Sequence, residues 1–97
     1  MLKHVVTWNV KDKTRKAAHC ARAKEALEGL RGKIPGLVAI ECGSDIGSGS
    51  TAADFILLSE FTDAAALAVY QEHPLHLVAK AVVAAVMTDR RSVDWQS

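Results

Sequence analysis

From Leu2 to Val10 the chain alternates, with Leu2, His4, Val6, Trp8 and Val10 on one side and Lys3, Val5, Thr7 and Asn9 on the other. A period of two is that of a strand, because successive side chains leave a pleated backbone on opposite faces. The period then changes. A helix is predicted from about Lys13 to Lys33, where Cys20, Ala23, Leu27, Leu30 and Ile34 recur at steps of three and four as one apolar stripe. Arg22, Glu25 and Arg31 take its outer side, and Lys24 and Glu28 are spaced for a weak helical ion pair. Gly32 and Pro35-Gly36 mark its end. Leu37–Asp45 reads as a second strand with Val38, Ile40 and Cys42 on one face, and the Gly/Ser-rich stretch after it as loop. That loop has no Gly-Lys-Ser/Thr ending and opens no helix, so it is not a phosphate cradle.

Asp54–Phe61 is a third predicted strand, and Thr62-Asp63 offers an N-cap to the Ala-rich helix behind it. His73-Pro74 breaks the apolar stretch from Asp63 to Met87 into two helices, since proline removes a backbone donor and pushes the residue before it out of the helical region. Pro74 suits the first position of the second helix, which carries Ala79, Val82, Val83 and Val86 as its stripe. Thr88–Trp95 closes the chain as a strand, with Thr88, Arg90, Ser92 and Asp94 on one face and Asp89, Arg91, Val93 and Trp95 on the other.

The order β-α-β-β-α-β predicts one α+β domain over residues 1–97, a ferredoxin-like sandwich with both helical segments on one face of an antiparallel sheet. The third strand is apolar on both faces, however: Phe55, Leu57 and Phe61 point one way, Ile56 and Leu58 the other. Strands of that kind are normally covered on both sides. One chain has helix enough for one side, so a second copy is expected on the sheet face carrying Val5, Ile56 and Leu58, making a homodimer.

Composition narrows the class without naming a chemistry. The 97 residues are 49% hydrophobic and 24% charged, an ordinary globular balance, and the net charge of +1 argues against a nucleic-acid binder. The longest apolar run, Ala81–Met87, is far short of the roughly 18 residues of a membrane span, so no membrane partner is expected. No secretory leader is apparent in Met1-Leu2-Lys3-His4, and Cys20 and Cys42 form no C-x-x-C pair, so reduced thiols in the cytoplasm are expected. Charge is uneven: residues 1–33 hold nine Lys/Arg against three Asp/Glu. No aromatic interleaves the basic residues, so they read as a solvated turn and outer helix face, with an anionic ligand as the alternative.

Candidate chemistry gathers at Tyr70 and His73-Pro74-Leu75-His76. Pro74 sets a helix start that puts His76 near its third position, where the positive end of the helix dipole disfavours imidazolium. A neutral His76 beside the Tyr70 hydroxyl in an apolar hollow suits acid–base work on a carbonyl or phenol. His4, Val6 and Trp8 face the same side, and Phe55, Leu57 and His73 are expected to complete the pocket wall. The plain alternative is that the histidines cap a helix and Tyr70 packs. No third ligand joins His73 and His76, so no metal is expected, nor any cofactor.

Lys3-His4-Val5-Val6, Ile34-Pro35-Gly36-Leu37, Ser59-Glu60-Phe61, Tyr70-x-x-His73-Pro74-x-His76 and Val93-Asp94-Trp95 together, in order and spacing, resemble the stress-responsive A/B barrel domain family, a branch of the dimeric α+β barrel superfamily. The resemblance implies a homodimeric barrel with helices outside. One plant branch is a polyketide cyclase that closes a ring by aldol chemistry without metal or cofactor, and its base and assisting tyrosine fall at His76 and Tyr70, its pocket histidine at His4. Phe55 stands where that cyclase carries a further histidine. Three readings follow: a homodimer binding a small, mostly apolar or phenolic molecule between sheet and helices, a cofactor-independent cyclase or lyase using His76 and Tyr70, or a purely structural dimer.

Overall fold

Unbroken alternation makes Leu2–Val10 the strand β1, in which burial switches at every residue and His4, Val6, Trp8 and Val10 turn inward. The computed structural model describes residues 1–97. After β1, Asp12 accepts a hydrogen bond from the Thr14 backbone and caps a short 3-10 turn over Lys13–Arg15. Helix α1 follows over Lys16–Glu28 and buries Cys20, Ala23 and Leu27. It is shorter than its apolar stripe: Gly29 ends the helix, and Leu30 and Ile34 reach the core from the turns that follow. Glycine costs about 1 kcal/mol inside a helix, and Gly32 at φ +75 cannot continue one.

Strands β2 (Leu37–Ser44) and β3 (Phe55–Phe61) pair antiparallel, as do β3 with β1 and β1 with β4 (Met87–Gln96). The sheet order is β2-β3-β1-β4. Helices α2 (Ala64–Glu72) and α3 (Pro74–Val86) complete the chain, Asp63 capping the first through the Ala66 N–H and His73 capping the second through the Leu75 N–H. His73 has the extended backbone that a following proline enforces, which is why one apolar stretch becomes two helices. α1 and α3 pack side by side over one face of the sheet. Gly36 turns the chain at φ +81 where a Cβ would lie 2.5 Å from that of Ala66, so only glycine lets β2 begin this close to α2.

Two strand details depart from simple alternation. A register shift between Leu37 and Ala39 turns Val38 away from the core, leaving it exposed while Ile40 and Cys42 stay buried. In β4, Asn9 faces Thr88 and Thr7 faces Arg91, so Asp89 and Arg90 together oppose the single residue Trp8. Asp89 takes up the extra residue at φ 55. This bulge puts Met87 opposite Val10 and into the core.

The basic start of the chain is partly spent inside the fold. Asp54 is almost buried, and its carboxylate accepts from the Val10 N–H at 2.9 Å and from Lys13, with Lys16 3.6 Å away. The Lys13 hydrogen bond holds the Asp54 carboxyl below its usual range against the opposing effect of burial. Arg31 donates to the Ile40 carbonyl at 2.6 Å. No helix is long and apolar enough to cross a membrane.

Candidate functional site

Between α3, the end of α1 and the β1–β4 half of the sheet lies a cavity of about 490 Å³. Its floor is apolar and buried: Val6, Trp8 and Leu57 rise from the sheet, and Leu27, Val83 and Met87 close it from the helices and the root of β4. Its polar groups come from different elements, His4 from β1, Gln71 and Glu72 from α2, His76 and Lys80 from α3, and Thr88, Asp89 and Arg90 from β4.

His4 is buried, and its Nδ1 pairs with Asp94 directly across the β1–β4 ladder. An ionised carboxylate only accepts, so Nδ1–H donates and, in the neutral ring, Nε2 keeps the lone pair. His76 is fixed the same way: its Nδ1 lies 3.3 Å from the Gln71 carbonyl, which likewise only accepts. Tyr70 joins the two histidines. Its ring centroid is 4.1 Å from that of His76, 6.5 Å from that of His4 and 5.0 Å from that of Phe61, and the residue is wholly enclosed. Its hydroxyl is buried with no protein hydrogen-bond partner. Burial pushes the phenol's pKa up, so at neutral pH Tyr70 is a donor and not a phenolate.

Burial is the main effect lowering the His76 pKa. The Gln71 carbonyl opposes it, and the charges of Lys80, His4 and Arg90 add to it. The sign of the pH dependence follows. Below pH 6.5 the unfolded chain protonates His76 before the folded chain does, so stability falls on acidification until the lower folded-state pKa is reached. Stability measured by urea unfolding at fixed protein concentration should slope downward from pH 6.5, and His76→Gln should flatten that slope. An unchanged slope would place the titrating group elsewhere.

Of the residues singled out from sequence, His4, Val6, Trp8, Leu57 and His76 line this cavity, and Tyr70 stacks behind His76. Phe55 does not line it. That side chain lies beside Trp8, ring centroids 5.7 Å apart, and borders a separate hollow under the β2–β3 loop. His73 is a helix cap. Sequence reasoning did not single out Lys80 or Arg90, nor join Asp94 to His4. The signal for Asp94 was its place on the same face as Arg90 and Ser92, but only the ladder register shows that this face meets His4. Cys20 and Cys42 are free and buried, and burial raises the Cys42 thiol to about 12, which keeps it a packing residue.

An antiparallel four-stranded sheet covered by helices on one face, with a cavity between the layers, defines the ferredoxin-like α+β class. The chain matches the stress responsive A/B barrel domain (Dabb) over residues 2–97 and belongs to that family. Solved structures agree. A dimeric ferredoxin-like protein of unknown function from Bacteroides fragilis is 29% identical, with 99% of this chain and 95% of that one covered at a TM-score of 0.87. A second, from Thermobifida fusca, is 26% identical with 97% and 88% covered at 0.84, and a third, from Jannaschia sp., 27% identical with 99% and 98% covered at 0.80. No curated protein matches the chain.

Proposed function

We propose that the chain is a homodimer, joined through the sheet face carrying Val5, Ile56 and Leu58, in which each protomer binds a small, mostly apolar molecule between sheet and helices. The cavity carries this reading. About 490 Å³ lies open between sheet and helices over a buried apolar floor, within the size range of small-molecule sites. The three relatives described as dimeric support the assembly. The free, buried cysteines suit a reducing, cytoplasmic setting.

The test is a fragment screen read by NMR. Binders should move the ring signals of Trp8, His4 and His76, and Ala84→Trp, which projects an indole into the cavity from α3, should cut their affinity at least tenfold while the protein stays folded. Hits that map elsewhere, or that ignore the tryptophan, would overturn the cavity as the binding site.

A second reading, a cofactor-independent cyclase or lyase, is favoured by the two imidazoles whose Nδ1–H groups are engaged while Nε2 remains a base. In it, His76 Nε2 takes a proton from the carbon next to a carbonyl and the C–H electrons pass into an enolate, while the Tyr70 hydroxyl, enclosed behind His76 in the free protein, reaches the enolate oxygen only if the imidazole turns aside. A positioned general acid or base contributes typically about 10²–10⁴-fold to such a step.

A further inference from the structure

The cavity has a graded lining: Val6, Trp8 and Leu57 are buried at its floor, whereas Lys80 and Arg90 are exposed at its rim. These two cations come from separate elements, and neither has a carboxylate within ion-pair distance. The β4 bulge is what delivers Arg90. Asp89 absorbs the extra residue at φ 55, so Arg90 stays on the helix-covered face with Ser92 and Asp94 while Met87 still enters the core. Two carboxylates also border the cavity, Glu72 and Asp89, but Asp89 is engaged by the Asn9 amide at 3.2 Å. Among the charges that lower the His76 pKa are those of Lys80 and Arg90, so both cations act at the cavity.

We propose that the ligand has an apolar body and an anionic head of the carboxylate class, the body resting on Val6, Trp8 and Leu57 and the head received at the rim by Arg90 and Lys80. This rests on the cavity being a ligand site and specifies the class of ligand. Arg90 supplies a planar fork that matches a carboxylate and Lys80 a point charge beside it.

Three probes of one shape decide it: 1-naphthoate, 1-naphthylmethanol and 1-naphthylmethylamine, titrated calorimetrically into the full-length protein while the His4 and His76 ring protons locate the binding. Naphthoate should bind about tenfold more tightly than the alcohol, with the amine weakest, since a charge-assisted hydrogen bond is roughly twice as strong as a neutral one. Arg90→Gln and Lys80→Gln should each weaken naphthoate by a larger factor than the alcohol, and added salt should do the same. If alcohol and naphthoate bind equally at the histidines, or the variants weaken both alike, the anionic head is wrong while the cavity reading stands. If no probe moves either ring, both fall together.

Discussion

Replacing Leu58 by lysine is expected to turn a dimer into a monomer or insoluble protein. Leu58 pairs with Val5, and Val5 pairs on its other side with Val93, so an apolar row crosses three strands on the face the helices leave bare. Ile56 and Trp95 flank it, and all four of Ile56, Leu58, Val93 and Trp95 are more than a third exposed in the isolated chain. Together with Val5 they form a patch of a few hundred Å², at the upper end of what soluble monomers carry. Burying it against its own copy stabilises by several kcal/mol at about 25 cal/mol per Å². Lysine at position 58 removes part of that area and brings an ammonium group from each protomer into the contact, and pairing it with Glu41 across the β2–β3 ladder would still bury charge where the wild type buries leucine. Sedimentation at micromolar concentration checks this, with Thr51→Lys on the exposed β2–β3 loop as the control that should remain dimeric. A wild-type monomer under those conditions, or an undisturbed Leu58→Lys dimer, would show that this face is not the interface.

The same row shows why much of the fold was legible in advance. The inward set His4, Val6, Trp8 and the two-faced β3 are properties of alternation, and alternation survives wherever strands pair without interruption. Legibility failed where the backbone added a residue. Val38 reads as a core position beside Ile40 and Cys42, but the shift at Leu37–Ala39 reverses its direction, and no residue type there announces the shift. Thr88 similarly begins a regular alternation on paper, while the bulge at Asp89 resets the register so that Met87, one residue earlier, meets Val10. Aspartate tolerates positive φ better than most residues, so the permission for that bulge was in the sequence, though not its occurrence.

The candidate site divides along the same line. Tyr70 and His76 lie six residues apart around one helix break, so proline geometry alone brings them near each other. His4 and Asp94 are ninety positions apart, and their pairing depends on the full β1–β4 register. Arg90 depends on the bulge. Local chemistry was therefore visible early, and the charged groups that tune it became visible only with the ladder in place.

Tyr70→Phe should separate packing from chemistry because its two effects are opposite in sign. The hydroxyl is buried beside no protein partner, and a buried unsatisfied donor costs about 1–3 kcal/mol. Phenylalanine keeps the ring between Phe61 and His76 and removes that cost, so the variant should be more stable by about 1 kcal/mol and melt roughly 4–8 °C higher. If the hydroxyl acts on a bound carbonyl, the same variant should lose function. Acetophenone, an apolar aryl ketone, tests this through exchange of its methyl protons in D2O, followed by NMR: wild type should exceed the buffer rate, and Tyr70→Phe and His76→Ala should each bring it down by about 10²-fold or more. The pairing matters, since His76→Ala also removes the stacked ring and is expected to destabilise, whereas Tyr70→Phe leaves His76 in place. A more stable Tyr70→Phe with slowed exchange makes the phenol a working group kept at a cost in stability. A more stable variant with undiminished exchange makes Tyr70 a packing residue and leaves His76 to act without it. Should the variant instead be less stable, the hydroxyl has a hydrogen-bond partner in solution, and the expected gain is refuted.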